Sequence, residues 1–518
     1  MSGGGESPGP RGSSAGGPPR RVGRWIALGA AAVLATGCTR AAAPPSGAAA
    51  ASPPAPVASL RPDPEPWRSE PPPAGDPGEL VFPAPEVRVL PSGLTLLVSP
   101  RDLGVVTIAA AVRRGASGVP AGRTGLAALT ARMLLEGTVH RSTTELAAAA
   151  EDLGGVLAAD AGRDYSYVSL TVLPEDLVAG LDLIRETLCE PAFDGVEFER
   201  VRSEWRSSLA EERQSPPRLA SIVGLRLLAG PVLGAPVGGG VPDVDRLTRD
   251  DVTAFWRANY QATTTAIVVV GGTSVAEVEP LVRARFAGWD RAAPPPARSE
   301  PLPAPEPTQV VLVDRPGTVQ SALFVAQPMP ARGAPGHEAR LVMNAVLGGL
   351  FTSRLNQSLR EEHAYTYGVS SSVIATRTWG GWVAATTVEA SATAAALRAM
   401  VDEIDAVAGP TPRRALTALE VERARSALIH AQAARLADAR DVAYELLAAF
   451  AQELPPDYPA RYAELVRAVS RDDAARAARE HLQPDRLIVV VVGDRRRFEG
   501  ELRAAWPRVQ TAHPTLTE

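Results

Sequence analysis

The segment Gly125-Leu-Ala-Ala-Leu-Thr-Ala-Arg-Met-Leu-Leu-Glu-Gly-Thr138 reads as a helix. Leu126, Leu129, Met133 and Leu134 recur at i, i+3, i+7 and i+8, an apolar stripe that faces a core. Ala128, Ala131 and Arg132 fall at i, i+3 and i+4 and share a second face of the same helix. That face offers two methyl groups and one fixed cation, so it presents no lone pair to a metal and no base to a reaction.

Working outward, the segments on either side alternate between strand and helix signals. Val87 to Ser99 alternates around the turn Pro91-Ser92-Gly93 and predicts a hairpin. Val105 to Val112 is a strand-like apolar run, and Arg141-Ser142 opens a helix that Leu153-Gly-Gly155 ends. Tyr165 to Leu173 alternates as a strand, Pro174-Glu-Asp176 opens a helix to Leu188, and a longer helix runs from about Val196 to Glu212. Leu247-Thr-Arg-Asp-Asp251 caps a helix ending near Tyr260, and Ile267-Val-Val-Val-Gly-Gly272 is a buried strand. Pro-rich residues 291–308 read as a linker. Beyond it come the strand Gln309–Asp314, a strand-rich stretch from Tyr367 to Thr387 and a helix carrying Val421, Ala424 and Leu428.

Two short matches tie the halves together. Thr248-Arg-Asp-Asp251 matches Ser470-Arg-Asp-Asp473, and Val268-Val-Val-Gly271 matches Val490-Val-Val-Gly493, both 222 residues apart. A shared offset implies two related α/β domains in one register, each ending helix–strand.

Composition bounds the rest. The chain has 518 residues, is 45% hydrophobic and 21% charged, and is long enough for several domains. A net charge of -5 gives no reason to expect a nucleic acid partner. All 53 basic residues are arginine. Cys38 and Cys189 are too few for a disulfide framework or a cysteine-rich metal site, and Cys189 is read as a core thiol. The histidines His140, His337, His363, His430, His481 and His513 are not paired at i, i+4 and are read as unrelated surface residues.

Arg20, Arg21 and Arg24 precede the apolar run Trp25–Leu34, which is too short to span a bilayer and reads as a secretory signal. Leu34-Ala-Thr-Gly-Cys38 resembles a bacterial lipobox, with cleavage before Cys38 and a lipid on its thiol; an ordinary signal with an incidental cysteine is the alternative. The Ala/Pro-rich stretch that follows is a tether or simply a tail. The domain reading is therefore a lipoprotein signal at 1–37, the lipidated Cys38 and tether at 38–80, a first domain at 81–290, a linker at 291–308, a second domain at 309–505 and a tail at 506–518.

Over residues 85–505 the chain resembles the pitrilysin/insulinase family of inverted-zinc metallopeptidases. The resemblance rests on Gly125-Leu126, Met133-Leu134, Gly137-Thr138, Arg141-Ser142, Leu153-Gly-Gly155, Asp164, Pro174-Glu-Asp176, Pro191-x-Phe193 and Leu247-Thr-Arg-Asp-Asp251. In the second half it rests on Leu347-Gly-Gly349, Ser353-Arg-Leu355, Leu359-Arg360 and Tyr367. It implies an α+β fold of two homologous α/β domains, each a sheet covered by helices, forming half of a clam-shell chamber. In the family's zinc helix Ala128 stands where the first His would be, Ala131 where the catalytic Glu would be and Arg132 where the second His would be. Glu204, 72 residues after Arg132, matches the third zinc ligand, and Glu197 an acidic residue one heptad earlier. One carboxylate does not hold catalytic zinc, so no metal and no cofactor are expected on this chain. A salt bridge between Glu204 and Arg132 is the alternative role for the relic.

The family's second domain supplies an Arg and a Tyr seven residues apart that hydrogen-bond the substrate near the scissile carbonyl. Arg360 and Tyr367 have that spacing. A fixed cation and a phenol suit a developing oxyanion, whereas the plainer reading is a solvated Arg beside Glu361 and Glu362 and a Tyr at a strand start. Some family members divide labour between a zinc-bearing chain and a partner that supplies the Arg/Tyr pair. The expected function is thus a non-catalytic subunit of a heteromeric zinc endopeptidase at the bacterial envelope. It would be lipid-anchored at the outer membrane facing the periplasm, enclose unfolded peptides and act with a zinc-bearing homologue. A pseudoenzyme lipoprotein acting alone is the second reading, and a metallopeptidase active by itself is the third.

Overall fold

The computed structural model of the chain describes residues 82–289, 302–303, 306–408, 413–506 and 508–512. The expected signal at 1–37, the tether at 38–80 with Cys38, and most of the linker at 291–308 lie outside the described residues.

Apolar alternation and valine-rich runs become two six-stranded sheets. The first contains β1 (Glu86–Val89), β2 (Thr95–Pro100), β3 (Val106–Val112), β4 (Ala158–Ala161), β5 (Ser166–Val172) and β6 (Thr265–Gly271), in the order β1-β2-β6-β3-β5-β4. The second contains β7 (Gln309–Asp314), β8 (Gln320–Met329), β9 (Val369–Ala375), β10 (Gly380–Glu389), β11 (Ile488–Gly493) and β12 (Val509–Thr511), in the order β12-β7-β11-β8-β10-β9. From β2 and β7 onward the two orders are the same. The strands β6 and β11 carry the matched Val-Val-Val-Gly runs, and each lies parallel to one neighbour and antiparallel to the other. Ala266 to Val270 and Val489 to Val492 are buried on both faces, as strands covered from both sides must be.

The helices of the first half are α1 (Leu126–Met133), α2 (Thr143–Asp152), α3 (Leu177–Cys189), α4 (Gly195–Glu212), α5 (Pro216–Leu233), α6 (Val241–Arg246), α7 (Arg249–Asn259) and α8 (Val275–Arg285). Those of the second half are α9 (His337–Asn344), α10 (Arg354–Asn356), α11 (Thr393–Ala408), α12 (Ala418–Arg435), α13 (Ala439–Ala451), α14 (Tyr458–Arg467), α15 (Arg471–His481) and α16 (Glu499–Ala505). The repeated Thr/Ser-Arg-Asp-Asp motif is a capping box in both places. Thr248 accepts from the Asp251 amide at the start of α7, and Ser470 accepts from the Asp473 amide at the start of α15.

Each sheet has one face under helices of its own half and the other under a helix lent by the opposite half. Leu219, Val223 and Leu228 of α5 pack on Val311, Phe324 and Val490 of the second sheet. Gly224 lies directly over the Phe324 ring, where a Cβ would clash. In return, Val442, Leu446 and Leu447 of α13 pack on Ala109, Ala111 and Val268 of the first sheet. The exchange interlocks the halves through apolar burial.

Three expectations change. The helix read through Thr138 stops at Met133, and Gly137 takes φ 96, a left-handed conformation that turns the chain out of the helix. Residues 509–511, read as part of a tail, form β12 and add a parallel edge beside β7, with Val509 buried. His337, read as a surface residue, is buried at the start of α9. Burial first, then the Arg332 and Arg340 cations, pushes its pKa down to about 2.

Candidate functional site

Helix α1 is held tightly from its first residue. Gly125 caps it at φ 90, and a Cβ there would approach the Gly238 carbonyl oxygen at 2.7 Å. The glycine loop before α6 thus lies backbone to backbone on the start of α1. Ala128 and Ala131 are fully buried. With no donor atom beyond Cβ, they offer nothing that could bind a metal.

Arg132 lies over the Trp205 indole, its guanidinium carbon 3.6 Å from the ring centroid. Trp205 is fixed in turn by donating Nε1–H to the Gly238 carbonyl at 2.9 Å. Burial draws the Arg132 pKa below its ordinary value, and the Asp160, Glu204, Glu212 and Glu136 carboxylates oppose that shift. The field of Glu204 therefore reaches Arg132. Its ion pair at 3.0 Å, however, is with Arg200, four residues earlier on α4. Arg200 also donates to Glu197 at 2.7 Å and to Glu136 at the end of the α1 segment. The Glu197 hydrogen bond first, with Glu136 and Glu204 behind it, holds the Arg200 cation above its usual pKa range. One guanidinium thus gathers three carboxylates from α4 and the end of the α1 segment.

This donor set does not fit zinc. Two buried methyl groups and a stacked cation occupy the helix face, and Glu204 is engaged by Arg200. Among the described residues no group of three or more His, Cys, Asp or Glu side chains is placed to hold a metal ion. Arg200 was not singled out in the sequence. Its position three after Glu197 and four before Glu204 on a helix is the signal that would have found it.

The second candidate site has the opposite character. Two π-helical turns, Ala345–Gly349 and Gln357–Glu362, flank it, a distortion frequent at functional sites. Arg360 sits in the second turn with 34% of its side chain exposed. Its guanidinium carbon lies 4.3 Å from the centroid of Phe351, and its Nε is 3.5 Å from the Glu361 carboxylate. Arg360 Nη1 is buried and has no hydrogen-bond partner among the described residues. Tyr367 is 94% exposed, and no hydrogen bond joins it to Arg360. Between them Ala364 takes φ 52, which costs a non-glycine residue about 1–2 kcal/mol, and His363 stacks on Tyr365 at 5.0 Å.

The platform beneath is rigid. Asn356 donates to the Val369 carbonyl at 2.8 Å and accepts from the Val369 amide at 2.9 Å, pinning the loop at the start of β9. Buried Arg354 grips Glu420 with Nε at 2.7 Å and Nη2 at 2.8 Å, and donates Nη1 to the Arg414 carbonyl at 2.6 Å. Burial alone would raise the Glu420 carboxyl; Arg354 and the Thr417 cap overcome it and set the pKa at about 2. Cys189 is half-buried against the first core rather than fully within it.

Residues 99–223 match the family model described as insulinase, peptidase family M16, and residues 246–428 match the one described as the peptidase M16 inactive domain. The chain belongs to the pitrilysin/insulinase family. An uncharacterized zinc protease of Streptomyces coelicolor is 29% identical over 245 residues, covering 46% of this chain and 53% of that protein. The mitochondrial-processing peptidase subunit beta of Blastocladiella emersonii is 24% identical over 216 residues, covering 40% of this chain and 46% of that protein. The chain spans about half the length of these curated relatives. A crystal structure of a peptidase M16 inactive domain from Pseudomonas fluorescens has the same fold. Its TM-score is 0.72 at 22% identity, over 79% of this chain and 97% of that one. The inactive-domain match and the donor-poor α1 fit a non-catalytic form of this family's scaffold.

Proposed function

We propose that this chain is the non-catalytic subunit of a heteromeric zinc endopeptidase at the bacterial envelope. It is anchored by a lipid on Cys38 to the outer membrane facing the periplasm, helps enclose unfolded peptides and lends Arg360 and Tyr367 to a zinc-bearing homologous partner. The observation that carries this reading is the contrast within one chain. The α1 site has lost every metal donor from its helix face, while the Arg360 side chain is one third exposed at 34% and Tyr367 stands exposed. When a peptide carbonyl is attacked its oxygen gains negative charge, and a fixed cation with a phenol beside it is suited to stabilise that charge. A relative named as a subunit supports an assembly of more than one chain.

The second reading, a lone pseudoenzyme that binds peptides, draws support from the Glu361 ion pair, which gives Arg360 a partner within its own chain. The test is co-purification of the mature, tagged protein from its own envelope, followed by peptide cleavage with and without a chelator. Recovery of a zinc-motif homologue with chelator-sensitive cleavage is the expected result. A chain that purifies alone and inert leaves the second reading in place, and one that purifies alone and active refutes both.

A further inference from the structure

Phe351 is a large apolar residue that the fold leaves 69% exposed, and burial therefore does not account for it. It follows the first π-helical turn, after Gly348 and Gly349, and its ring lies 4.3 Å from the Arg360 guanidinium carbon. Both glycines are needed there. A Cβ on Gly349 would approach the Asn344 side chain at 2.7 Å, and one on Gly348 would approach the Leu355 side chain at 2.8 Å. The turn leading to Phe351 is thus packed from below. On the other side, Asn356 donates to the Leu350 carbonyl at 3.2 Å and to the Val369 carbonyl at 2.8 Å, so one buried side chain fixes both the residue before Phe351 and the strand that follows Tyr367.

We propose that Phe351 is a positioning residue for Arg360, holding its guanidinium against the ring so that the part-exposed cation is set in place before substrate arrives; this rests on the reading of Arg360 given above. A long arginine side chain loses rotamer freedom whenever it binds. A ring already beneath the guanidinium removes part of that loss before substrate arrives. The benefit falls on the oxyanion contact rather than on peptide binding. It should therefore appear in kcat and leave KM unchanged.

The test has two arms on the full chain. In the free protein, the Arg360 Nε–H resonance, assigned by its loss in Arg360→Lys, should sit at the shielded position expected over a ring. It should move to the exposed-arginine position in Phe351→Leu and stay shielded in Phe351→Trp. In the complex with its partner, Phe351→Leu should lower kcat roughly two- to fivefold at constant KM, and Phe351→Trp should restore it. Thermal unfolding of each variant checks that the fold is kept, as expected for an exposed side chain.

An unmoved resonance, or a kcat equal to wild type in Phe351→Leu while Arg360→Ala is impaired, overturns the inference and leaves the subunit reading standing. A change confined to KM also overturns it, making Phe351 a substrate contact. If Arg360→Ala turns over like wild type, the subunit reading falls and the inference falls with it.

Discussion

The α1 site and the Arg360 site occupy corresponding halves of a duplicated scaffold, yet they differ in how their polar groups are used. Around α1 the polar groups are turned inward on one another. Arg132 is stacked on Trp205, Arg200 binds three carboxylates, and the helix face is two buried methyls. Around Arg360 the backbone is distorted, an alanine is held in the left-handed region, one buried guanidinium nitrogen has no hydrogen-bond partner among the described residues, and the Tyr367 phenol and the Phe351 ring stand exposed. A site relieved of its chemistry relaxes toward ordinary packing, whereas retained strain marks a place where packing is not the only constraint.

The sharpest way to break this comparison is to remove one charge from each site in the assembled complex. Arg360→Ala is expected to lower kcat on the order of 10²–10³-fold with little change in KM, the size of losing one oxyanion donor. Glu204→Gln should leave both constants at wild type. Comparable losses in the two variants would mean that the α1 site still works.

Zinc affinity sharpens the comparison next. The triple variant Ala128→His, Ala131→Glu, Arg132→His returns the family's helix residues, but Arg200 still holds Glu204. Adding Arg200→Ala should tighten zinc binding roughly 10- to 100-fold, read by competition with a chromogenic chelator. Equal affinity in the triple and quadruple variants would show that Arg200 does not withhold the third ligand. Circular dichroism must accompany this test, because larger side chains at two filled positions cost about 1–3 kcal/mol each.

Stability should move in opposite directions when the backbone of each site is eased or strained. Gly125→Ala, at φ 90 and with a carbonyl oxygen 2.7 Å from the new Cβ, is expected to lose about 2 kcal/mol in urea unfolding. Ala364→Gly, at φ 52, should gain roughly 0.5–1 kcal/mol and lower turnover, since it frees the segment between Arg360 and Tyr367. A destabilised Ala364→Gly would mean that the left-handed turn carries no strain.

The last effect concerns pH. The Glu420 carboxyl ionises at about 2 in the fold against an ordinary value of 4.5, so it contributes stability that is full above about pH 4.5 and is lost as pH falls toward 2. Glu420→Gln should flatten the stability profile across that window while leaving it parallel to wild type above it. An unchanged acid limb would show that Arg354 does not depend on Glu420 to anchor the Arg360 platform.

Much of the fold could be read in advance because its signals are local. The hairpin around Pro91-Ser92-Gly93, the alternation of β5 and the capping boxes at Thr248 and Ser470 each depend on residues a few positions apart. The lent helices α5 and α13 carry no local signal of their place, because what fixes them is a surface of the opposite half, far along the chain. The same holds for β12, whose three residues become a strand only because β7 offers an open edge. At the sites, the absence of metal donors at Ala128, Ala131 and Arg132 was plain in the residue types. The grip of Arg200 on Glu204 and the ring of Phe351 under Arg360 were not, since several residues within reach could have filled either role.

Taken alone, the sequence determined the two-fold α/β plan, the family resemblance and the loss of zinc ligands, because residue identity, spacing and periodicity are properties of the chain itself. The tertiary structure alone decided which half covers which sheet, which cation claimed the orphaned carboxylates, and that Arg360 lies over the Phe351 ring. Those are contacts between distant residues, and they are settled only when apolar burial and the pairing of buried charge are satisfied together.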